Sequence, residues 1–239
     1  PVDPASAGFP VGISDRDLQP AGIDLAGGDP HLLVYGDGET GKTNLLRVVL
    51  HGFCQRYRPE QLGIVLVDYR RSLLGVVPDE YLLAYCAGPE QTAAVAREVA
   101  GSIAQRRPGP NVTPAQLRDR SWWKGLEVLV VVDDYDLVST GSGNPLLPLA
   151  EFLVQARDLG LHLVLARRTG GSARASLDPL LQRLSDVSTP GFLFSGDRME
   201  GPLANGVASQ RLPAGRALYA MRGGGAQQVQ VAWLPPPGQ

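Results

Sequence analysis

The chain has 239 residues, of which 44% are hydrophobic and 19% charged, and its formal net charge is −2 from 22 basic and 24 acidic residues. This mixture suits one large α/β domain or two small ones, and it argues against attraction of the whole surface to nucleic acid or to an anionic membrane. Two cysteines are too few for a disulfide framework, and no apolar run reaches the roughly 18 residues that a membrane-spanning helix needs.

The first part of the chain predicts an extended segment, a strand and a helix. Residues 1–30 are rich in Pro, Gly and Asp, and we expect an extended lead-in that packs on the domain. Residues 31–36 form a short apolar run that ends in glycine, as buried strands often do, and 43–57 have the apolar spacing of a helix packed on a sheet. We expect a single domain over 31–239. Because the chain begins at Pro1 without a methionine, we also expect a fragment of a longer, multi-domain chain.

The rest of the chain alternates between predicted strands and helices and then continues in short strands. Such alternation is typical of an α/β fold with a mainly parallel sheet and helices on both faces, whose ligands bind beyond the carboxyl ends of the strands. The glycine-rich run 223–226 predicts a hairpin, and hence short antiparallel strands at the C-terminal end; the last strand, 228–233, alternates as an edge strand would. The predicted strands are 63–68, 81–86, 127–133, 161–166, 191–196, 216–221 and 228–233, the helices 88–107 and 145–159, and the loops 108–125 and 169–176.

The segment GDGETGKT, residues 36–43, matches the phosphate-binding pattern G-x-x-x-x-G-K-[ST] and lies between a predicted strand and a predicted helix. In this motif backbone N–H groups surround the β-phosphate, and glycines such as Gly36 and Gly41 let the chain bend close to it. Lys42 offers its ammonium to the phosphate oxygens, and the Thr43 hydroxyl can bind Mg²⁺. The predicted nucleotide-binding residues are Gly36, Asp37, Gly38, Glu39, Thr40, Gly41, Lys42, Thr43 and Asn44.

The stretch VLVVVDD ends a predicted buried strand in two acids, Asp133 and Asp134. Asp133 suits the aspartate that holds Mg²⁺ beside a phosphate loop. Asp134 stands where many motors have a glutamate that activates the attacking water; its side chain is shorter by about 1.5 Å, and a displacement of about 1 Å can lower a rate roughly 100-fold. The alternative is that Asp134 only caps a turn. Both interpretations predict a site that binds ATP better than it hydrolyses it.

Other polar and aromatic residues allow two interpretations each. Asp68 ends a predicted strand at the same sheet edge, and it either orders the strand end through Arg70 or Arg71 or caps a turn. In the pair Trp122–Trp123, one ring faces a partner or both pack in the core. The three histidines have no cysteine or acidic companion at ligand spacing, so we expect them to be structural.

Taken together, the phosphate loop, the VVVDDYD strand end and the segment ARDLGLHLVLARR resemble the FtsK/SpoIIIE group of RecA-like P-loop NTPases. The segments FLFSGDRMEGPL (192–203) and RLPAGRALY (211–219) are similar to the last ATPase domain of the EccC-like motors of type VII secretion. The resemblance covers nearly the whole chain. The phosphate loop alone is shared by many unrelated proteins, whereas the combination is much more specific.

This resemblance implies a domain that binds ATP and Mg²⁺ on the cytoplasmic face of a bacterial membrane. In the family, several such domains lie in tandem on one chain behind a membrane anchor, so the implied contact with the membrane is only through the rest of the parent protein. The implied partners are the sister ATPase domains and a secreted helical protein, which is recognised by its C-terminal signal. The chain's near-neutral charge predicts no nucleic-acid partner.

The sequence departs from the family's active pattern at two positions. Asp134 replaces the glutamate, and Arg168 stands where the motors have a glutamine that senses the γ-phosphate. An arginine there either holds a phosphate as a fixed charge or is a solvated surface residue. Both departures favour weak or absent hydrolysis. The alternative functions are a DNA translocase module of the FtsK group and a fully competent ATPase.

Overall fold

A ten-stranded mixed sheet runs through the residues that the computed structural model describes, which are 8–25, 27–175 and 177–238, with only the backbone of 173 and 174. Six neighbouring strands are parallel, and the four at one side are antiparallel. The strands are β1 (Phe9–Ser14), β2 (Pro20–Ile23), β3 (His31–Tyr35), β4 (Leu62–Val67), β5 (Leu82–Cys86), β6 (Glu127–Val132), β7 (Leu161–Arg167), β8 (Gly191–Leu193), β11 (Arg216–Ala220) and β12 (Ala226–Val231), with a separate hairpin of β9 (Pro202–Ala204) and β10 (Val207–Ala208). Across the sheet the order is β2-β1-β12-β11-β8-β3-β7-β6-β4-β5.

Helices connect the parallel strands, and none of those described is long and apolar enough to cross a membrane. They are α1 (Lys42–Arg56), α2 (Pro89–Ala104), α3 (Pro114–Asp119), α4 (Tyr135–Val138), α5 (Ala156–Leu159), α6 (Ser172–Ala175) and α7 (Pro179–Asp186), with 3-10 turns at Asp79–Tyr81 and Arg198–Glu200 and a longer 3-10 helix at Leu147–Gln155.

The central strands are buried on both faces, because helices cover the sheet on each side. In β6, Val128, Val130 and Val132 belong to one apolar core, which includes α2 and α7, while Leu129 and Val131 belong to the other, which includes α1. Side chains alternate between the faces of a strand, so continuous apolar runs fill two cores at once. The fold class expected from the sequence is confirmed, including the short antiparallel strands at the C-terminal end.

Four of the described helices, α3, α4, α6 and α7, lie where the sequence pattern predicts none. Helix α3 lies inside the predicted loop 108–125 and begins at a capping box, in which the side chains of Thr113 and Gln116 each bond the other residue's backbone. Helix α7 begins after Asp178, whose carboxylate accepts from two backbone N–H groups at 2.9 and 3.2 Å. Helices α3 and α7 are short, so their capping residues indicate them better than their periodicity does.

The ends of two predicted helices also differ. The predicted helix 145–159 begins at Leu147 and runs as a 3-10 helix to Gln155 before its last turn, α5. Pro145 and Pro148 lie at the start of this segment and remove two backbone donors from its first turn. Helix α2 ends at Ala104, three residues before its predicted end.

The expectation that the last strand lies at the sheet edge is wrong. Strand β1 pairs with β12 in antiparallel register, with Gly12 opposite Val231 and Ser14 opposite Val229, and β2 forms the edge. The alternation of β12 reflects one exposed face of an interior strand. Part of the predicted lead-in therefore forms β1 and β2, while residues 1–7 and 26 lie outside the described part of the chain.

We expect His31 to make stability depend on pH. His31 is 1% exposed; its Nε2 lies 3.1 Å from the Leu153 carbonyl oxygen, and its Nδ1 accepts from the Leu163 N–H at 3.1 Å. Burial lowers the pKa of His31 from 6.5 to about 4. The neutral ring is therefore favoured in the folded state, and the stability it contributes is complete above pH 6.5 and is lost as the pH falls toward 4.

Urea unfolding of the protein at pH 7 and pH 5 measures this dependence. We expect the free energy of unfolding to fall by about 2 kcal/mol from this group, because each pKa unit corresponds to about 1.4 kcal/mol. The variant His31→Gln should lose most of the dependence, and His51→Gln, which changes an exposed histidine of α1, should keep it. Equal pH dependence in both variants would contradict the assignment to His31.

Candidate nucleotide-binding site

The predicted site residues follow four neighbouring strands at one edge of the sheet. The loop 36–43 follows β3, Arg168 follows β7, Asp133 follows β6, and Asp68 follows β4, and these strands are adjacent in the order β3-β7-β6-β4. The carboxyl ends of parallel strands meet at the same edge, so residues distant in sequence are brought together there. The structure therefore places the phosphate loop and the acidic strand end side by side.

The phosphate loop is bent tightly and packs closely on its surroundings. Its backbone enters the left-handed region at Glu39, with φ 59°, and at Gly41, with φ 119°. A Cβ on Gly36 would lie 2.6 Å from the Thr40 hydroxyl and 2.7 Å from the Phe194 side chain. Glycine at 36 is thus required for close packing, while glycine at 41 is suited to a backbone conformation that other residues rarely adopt.

Lys42 begins α1 with its ammonium folded back into the loop. Its Nζ donates to the Asp37 carbonyl oxygen at 2.8 Å, and the Thr40 hydroxyl donates to the same oxygen at 3.0 Å. Lys42 is 7% exposed, and burial lowers its pKa, although the nearby carboxylates of Asp134 and Asp133 act in the opposite direction. The ammonium is accordingly a buried cation inside the phosphate loop, with the acids Asp134 and Asp133 close by.

Asp133 joins three parts of the site through its carboxylate. Oδ2 accepts from the hydroxyls of Thr43 and Ser72, each at 2.8 Å, and Oδ1 accepts from the Asp134 N–H at 3.0 Å. Asp133 is 2% exposed; burial raises its pKa, and the two hydroxyl hydrogen bonds oppose that rise. A hydroxyl and a carboxylate are oxygen ligands that suit Mg²⁺, which usually takes one or two protein ligands and completes its shell with phosphate and water.

Asp134 has a different environment from Asp133. Its backbone lies in the left-handed region with φ 47°, and its Oδ2 forms an ion pair with Nε of Arg70 at 2.9 Å. Although Asp134 precedes α4, its side chain makes no capping hydrogen bond to that helix. The carboxylate is therefore directed to an arginine on the loop after β4 and is only 20% exposed.

Of the two interpretations of Asp68, the structure agrees with the capped turn and not with ordering through Arg70 or Arg71. The Asp68 carboxylate accepts from the Ser72 hydroxyl at 3.2 Å, the Leu73 N–H at 2.7 Å and the Tyr85 hydroxyl at 2.7 Å. Asp68 is 1% exposed and is enclosed by these three partners. Asp68 shapes the loop that brings the Ser72 hydroxyl to Asp133. The sequence does not indicate this contact, because a serine in a loop is common.

At the end of β7, the structure buries two residues, Arg167 and Thr169, that the sequence did not predict as site residues. Arg168 is exposed, and its backbone N–H donates to Asp136 Oδ2 at 2.8 Å. Its neighbour Arg167 is 4% exposed and pairs with Asp136 Oδ1 at 3.1 Å. Thr169 is 1% exposed, and its hydroxyl donates to the Asp37 carboxylate of the phosphate loop. Burial distinguishes Arg167 and Thr169 from the exposed Arg168. The sequence ARRTG by itself does not show this difference.

The side chain of Asn44 contacts the end of the chain. Its Nδ2 donates to the Ala232 carbonyl oxygen at 2.7 Å, and its Oδ1 accepts from the Leu234 N–H at 2.9 Å. Arg47, one turn further along α1, donates to the Leu234 carbonyl oxygen at 3.2 Å. The C-terminal segment is thereby held against the helix that begins in the phosphate loop.

A cavity of about 860 Å³ lies on the other side of the same strand ends. Arg167 lines both this cavity and an adjoining one of about 410 Å³, and its Nε is buried without a partner among the described residues. Leu177, at 75% exposure, and Leu181 give the cavity an apolar side. Asp136, which lines the cavity, contacts both Arg167 and the backbone of Arg168, so the cavity adjoins the residues at the end of β7.

Both adjacent tryptophans bond backbone carbonyls. The indole N–H of Trp122 donates to Arg106 O at 2.7 Å, and that of Trp123 donates to Asp158 O at 2.8 Å. The Arg106 guanidinium lies 4.4 Å from the centre of the Trp123 ring. The two indoles therefore bond the backbone at the end of the sheet away from the phosphate loop.

Comparison with known proteins gives matches over nearly the whole chain. The sequence pattern of the FtsK/SpoIIIE family matches residues 4–107. The chain is 45% identical over 225 residues to the ESX secretion system protein EccC of Thermomonospora curvata and 43% identical over 235 residues to the ESX-4 secretion system protein EccC4 of Mycobacterium tuberculosis. These alignments cover 94% and 98% of this chain, which spans 17% and 19% of the lengths of these curated relatives.

Solved structures agree with the sequence matches. The cytoplasmic domain of the Thermomonospora curvata type VII secretion ATPase EccC is 44% identical with a TM-score of 0.91, over 95% of this chain and 26% of that chain. A structure of ATPases 2 and 3 of the same EccC, in complex with a signal sequence peptide, is 43% identical with a TM-score of 0.91, over 97% of this chain and 42% of that chain. The similarity in fold therefore extends through the phosphate loop, the acidic strand end and the C-terminal strands.

Proposed function

We propose that this chain is an ATP-binding domain of a type VII secretion motor. The chain belongs to the FtsK/SpoIIIE family of P-loop ATPases and is homologous to EccC secretion proteins. The domain holds ATP with Mg²⁺, hydrolyses it slowly or not at all, and recognises the C-terminal signal of a secreted helical protein. The observation that carries the proposal is the 2.8 Å contact between the Thr43 hydroxyl and the Asp133 carboxylate, beside the buried ammonium of Lys42.

Each part of the site has a separate role in holding the nucleotide. The backbone N–H groups of the phosphate loop and the Lys42 ammonium bind phosphate oxygens, while Thr43 and Asp133 hold the metal. When bound, Mg²⁺ neutralises charge on the triphosphate and makes the terminal phosphate a better target for water. Lys42 donates to the Asp37 carbonyl oxygen and Thr43 donates to the Asp133 carboxylate, so these polar groups have partners within the chain.

Slow hydrolysis is supported by the position of Asp134. Its side chain is one methylene shorter than glutamate, and its carboxylate is engaged with Arg70 at 2.9 Å. The ion pair holds this carboxylate against the Arg70 guanidinium, which leaves it less free to reach an attacking water. The position expected to activate water therefore carries a short carboxylate that is already engaged with Arg70.

Recognition of a secreted partner is supported by the relative that was solved with a signal sequence peptide. The cavity at Arg167 suits such a peptide, because it joins an apolar side at Leu177 to a buried cation whose Nε has no partner among the described residues. A peptide that carries a carboxylate between apolar residues satisfies both features. We therefore place the docking of the C-terminal signal in this cavity.

The setting of the domain is part of the same proposal. Its relatives are several times longer than this chain, and we propose that it is one of several tandem ATPase domains and contacts its sister domains. The parent protein would hold it at the cytoplasmic face of the bacterial cell membrane, with contact to the membrane only through other parts of that protein.

A single-turnover assay tests the nucleotide half of the proposal. Excess protein is mixed with trace radiolabelled ATP and Mg²⁺, and both bound label and released phosphate are followed. We expect intact ATP to stay bound for many minutes. Release of phosphate within seconds would support a competent ATPase, and absence of bound label would contradict ATP binding.

Titration with the signal sequence peptide of the Thermomonospora curvata complex tests the partner half, with a scrambled peptide as the control. We expect Leu177→Asp to weaken binding of the signal peptide about 10-fold, because it removes a Leu side chain from the apolar contact. The matched variant Leu83→Asp changes a leucine with 52% exposure on strand β5 and should bind normally. Equal affinity for the signal and scrambled peptides would contradict recognition, and equal effects of the two variants would contradict the assigned cavity.

A further inference from the structure

The loop that leads into β11, residues 209–215, lies directly on the phosphate loop. The Gly215 N–H donates to the Thr40 carbonyl oxygen at 2.9 Å, and a Cβ on Gly41 would lie 3.4 Å from the backbone of Gly215. The loop is also tied to Ser195, whose hydroxyl accepts from the Leu212 N–H at 3.3 Å. Its backbone is therefore fixed against the residues that bind phosphate.

Arg211 extends from this fixed backbone toward the second residue of the phosphate loop. Its guanidinium lies 4.0 Å from Asp37 Oδ2, and its side chain is 81% exposed. The other carboxylate oxygen of Asp37 accepts from the Thr169 hydroxyl, and the Asp37 carbonyl oxygen accepts from Lys42. Asp37 is thus held on two sides by short contacts, whereas its contact with Arg211 is long and exposed.

A weakly held cation beside a phosphate loop can change its partner when a stronger anion arrives. An exposed ion pair at the limit of contact contributes little, while a guanidinium and a phosphate form paired charge-assisted hydrogen bonds. The Asp37 carboxylate adds negative charge beside the loop, which disfavours a triphosphate unless a cation offsets it. Lys42 and Arg211 both contact Asp37, so two cations meet at one residue of the loop.

We propose that Arg211 is a specificity residue that leaves Asp37 and binds the terminal phosphate of a nucleoside triphosphate, so that the domain prefers triphosphate to diphosphate. The inference rests on the proposed binding of ATP. Arg211 is distinct from Arg168, the predicted sensor residue after β7, because Arg211 lies in the loop before β11.

Equilibrium binding of fluorescent ATP and ADP, each with Mg²⁺, tests this proposal in wild type, Arg211→Gln and Arg198→Gln. We expect Arg211→Gln to raise the Kd for ATP about 10-fold and the Kd for ADP less than about 2-fold, since only the triphosphate carries the group that the arginine binds. Arg198 is another exposed arginine, outside the loop, and its replacement should change neither Kd. Thermal unfolding shows whether both variants are folded.

The variant Arg211→Lys adds a second criterion, because a lysine keeps the charge without the paired donors. We expect it to restore part of the preference for ATP. An unchanged ratio of the two Kd values in folded Arg211→Gln overturns the inference, and so does an equal weakening of both nucleotides. Both of these results leave ATP binding by the wild type intact, whereas a wild type that binds neither nucleotide overturns the proposed function together with the inference.

Discussion

Replacing Lys42 by alanine is expected to weaken ATP binding about 100-fold, because a charge-assisted hydrogen bond contributes about 1.5–3 kcal/mol and each 1.4 kcal/mol is tenfold in affinity. The Lys42 ammonium is 7% exposed and lies close to the carboxylates of Asp133 and Asp134. Without it, the triphosphate would approach these two acids with less compensating positive charge. Fluorescent ATP binding at equilibrium gives the ratio of the two Kd values.

The chain offers a matched control for this experiment, since its only other lysine is Lys124. Lys124 follows the tryptophan pair at the end of the sheet away from the phosphate loop, so Lys124→Ala should bind ATP as the wild type does. Comparable affinities for the wild type and Lys42→Ala would show that the phosphate loop does not hold the nucleotide.

Lengthening Asp134 to glutamate is expected to raise the single-turnover rate of ATP hydrolysis 10- to 100-fold, since a misplacement of about 1 Å can lower a rate roughly 100-fold. The added methylene extends the carboxylate from the end of β6 toward the position that a catalytic base occupies in active motors. The pair with Arg70 at 2.9 Å opposes this, because it holds the carboxylate on the loop after β4. The double variant Asp134→Glu with Arg70→Gln should therefore be faster than Asp134→Glu alone.

The variant Asp134→Asn separates catalysis from binding. It keeps the size of the side chain and removes its basicity, so any residual hydrolysis should disappear while ATP stays bound. Arg71→Gln, which changes the arginine next to Arg70, is the control for the loss of positive charge in the Arg70→Gln double variant. If the wild type already releases phosphate as fast as Asp134→Glu, the length of this side chain does not limit the rate.

The surroundings of the phosphate loop follow from local sequence. The apolar run before GDGETGKT and the helical spacing after it predict strand and helix, and β3 and α1 end within one residue of the predicted boundaries 31–36 and 43–57. The same holds for β6, whose apolar run leads directly to the two acids. Periodicity and motif spacing are properties of neighbouring residues, so they can be read without knowledge of the rest of the fold.

The arrangement of the strands did not follow from local pattern. The alternation of β12 shows that one of its faces is exposed, and it contains no information about which strand lies beside it. The position of β12 depends on β1, which comes from the opposite end of the chain. Helix α7 was missed because its apolar residues span only two turns, which is too short for periodicity to be distinctive.

The sequence by itself determined that this chain has a phosphate loop, an acidic strand end and an α/β fold, because each of these depends on residues close together in the chain. Only the tertiary structure decided the partners of the polar groups: Arg70 pairs with Asp134, Thr169 bonds Asp37 across 132 positions, and Asn44 bonds the backbone across 188. Such contacts form where loops from different strands meet at the sheet edge. Loop paths are set by the packing of the whole domain, so no local pattern predicts which side chains they bring together.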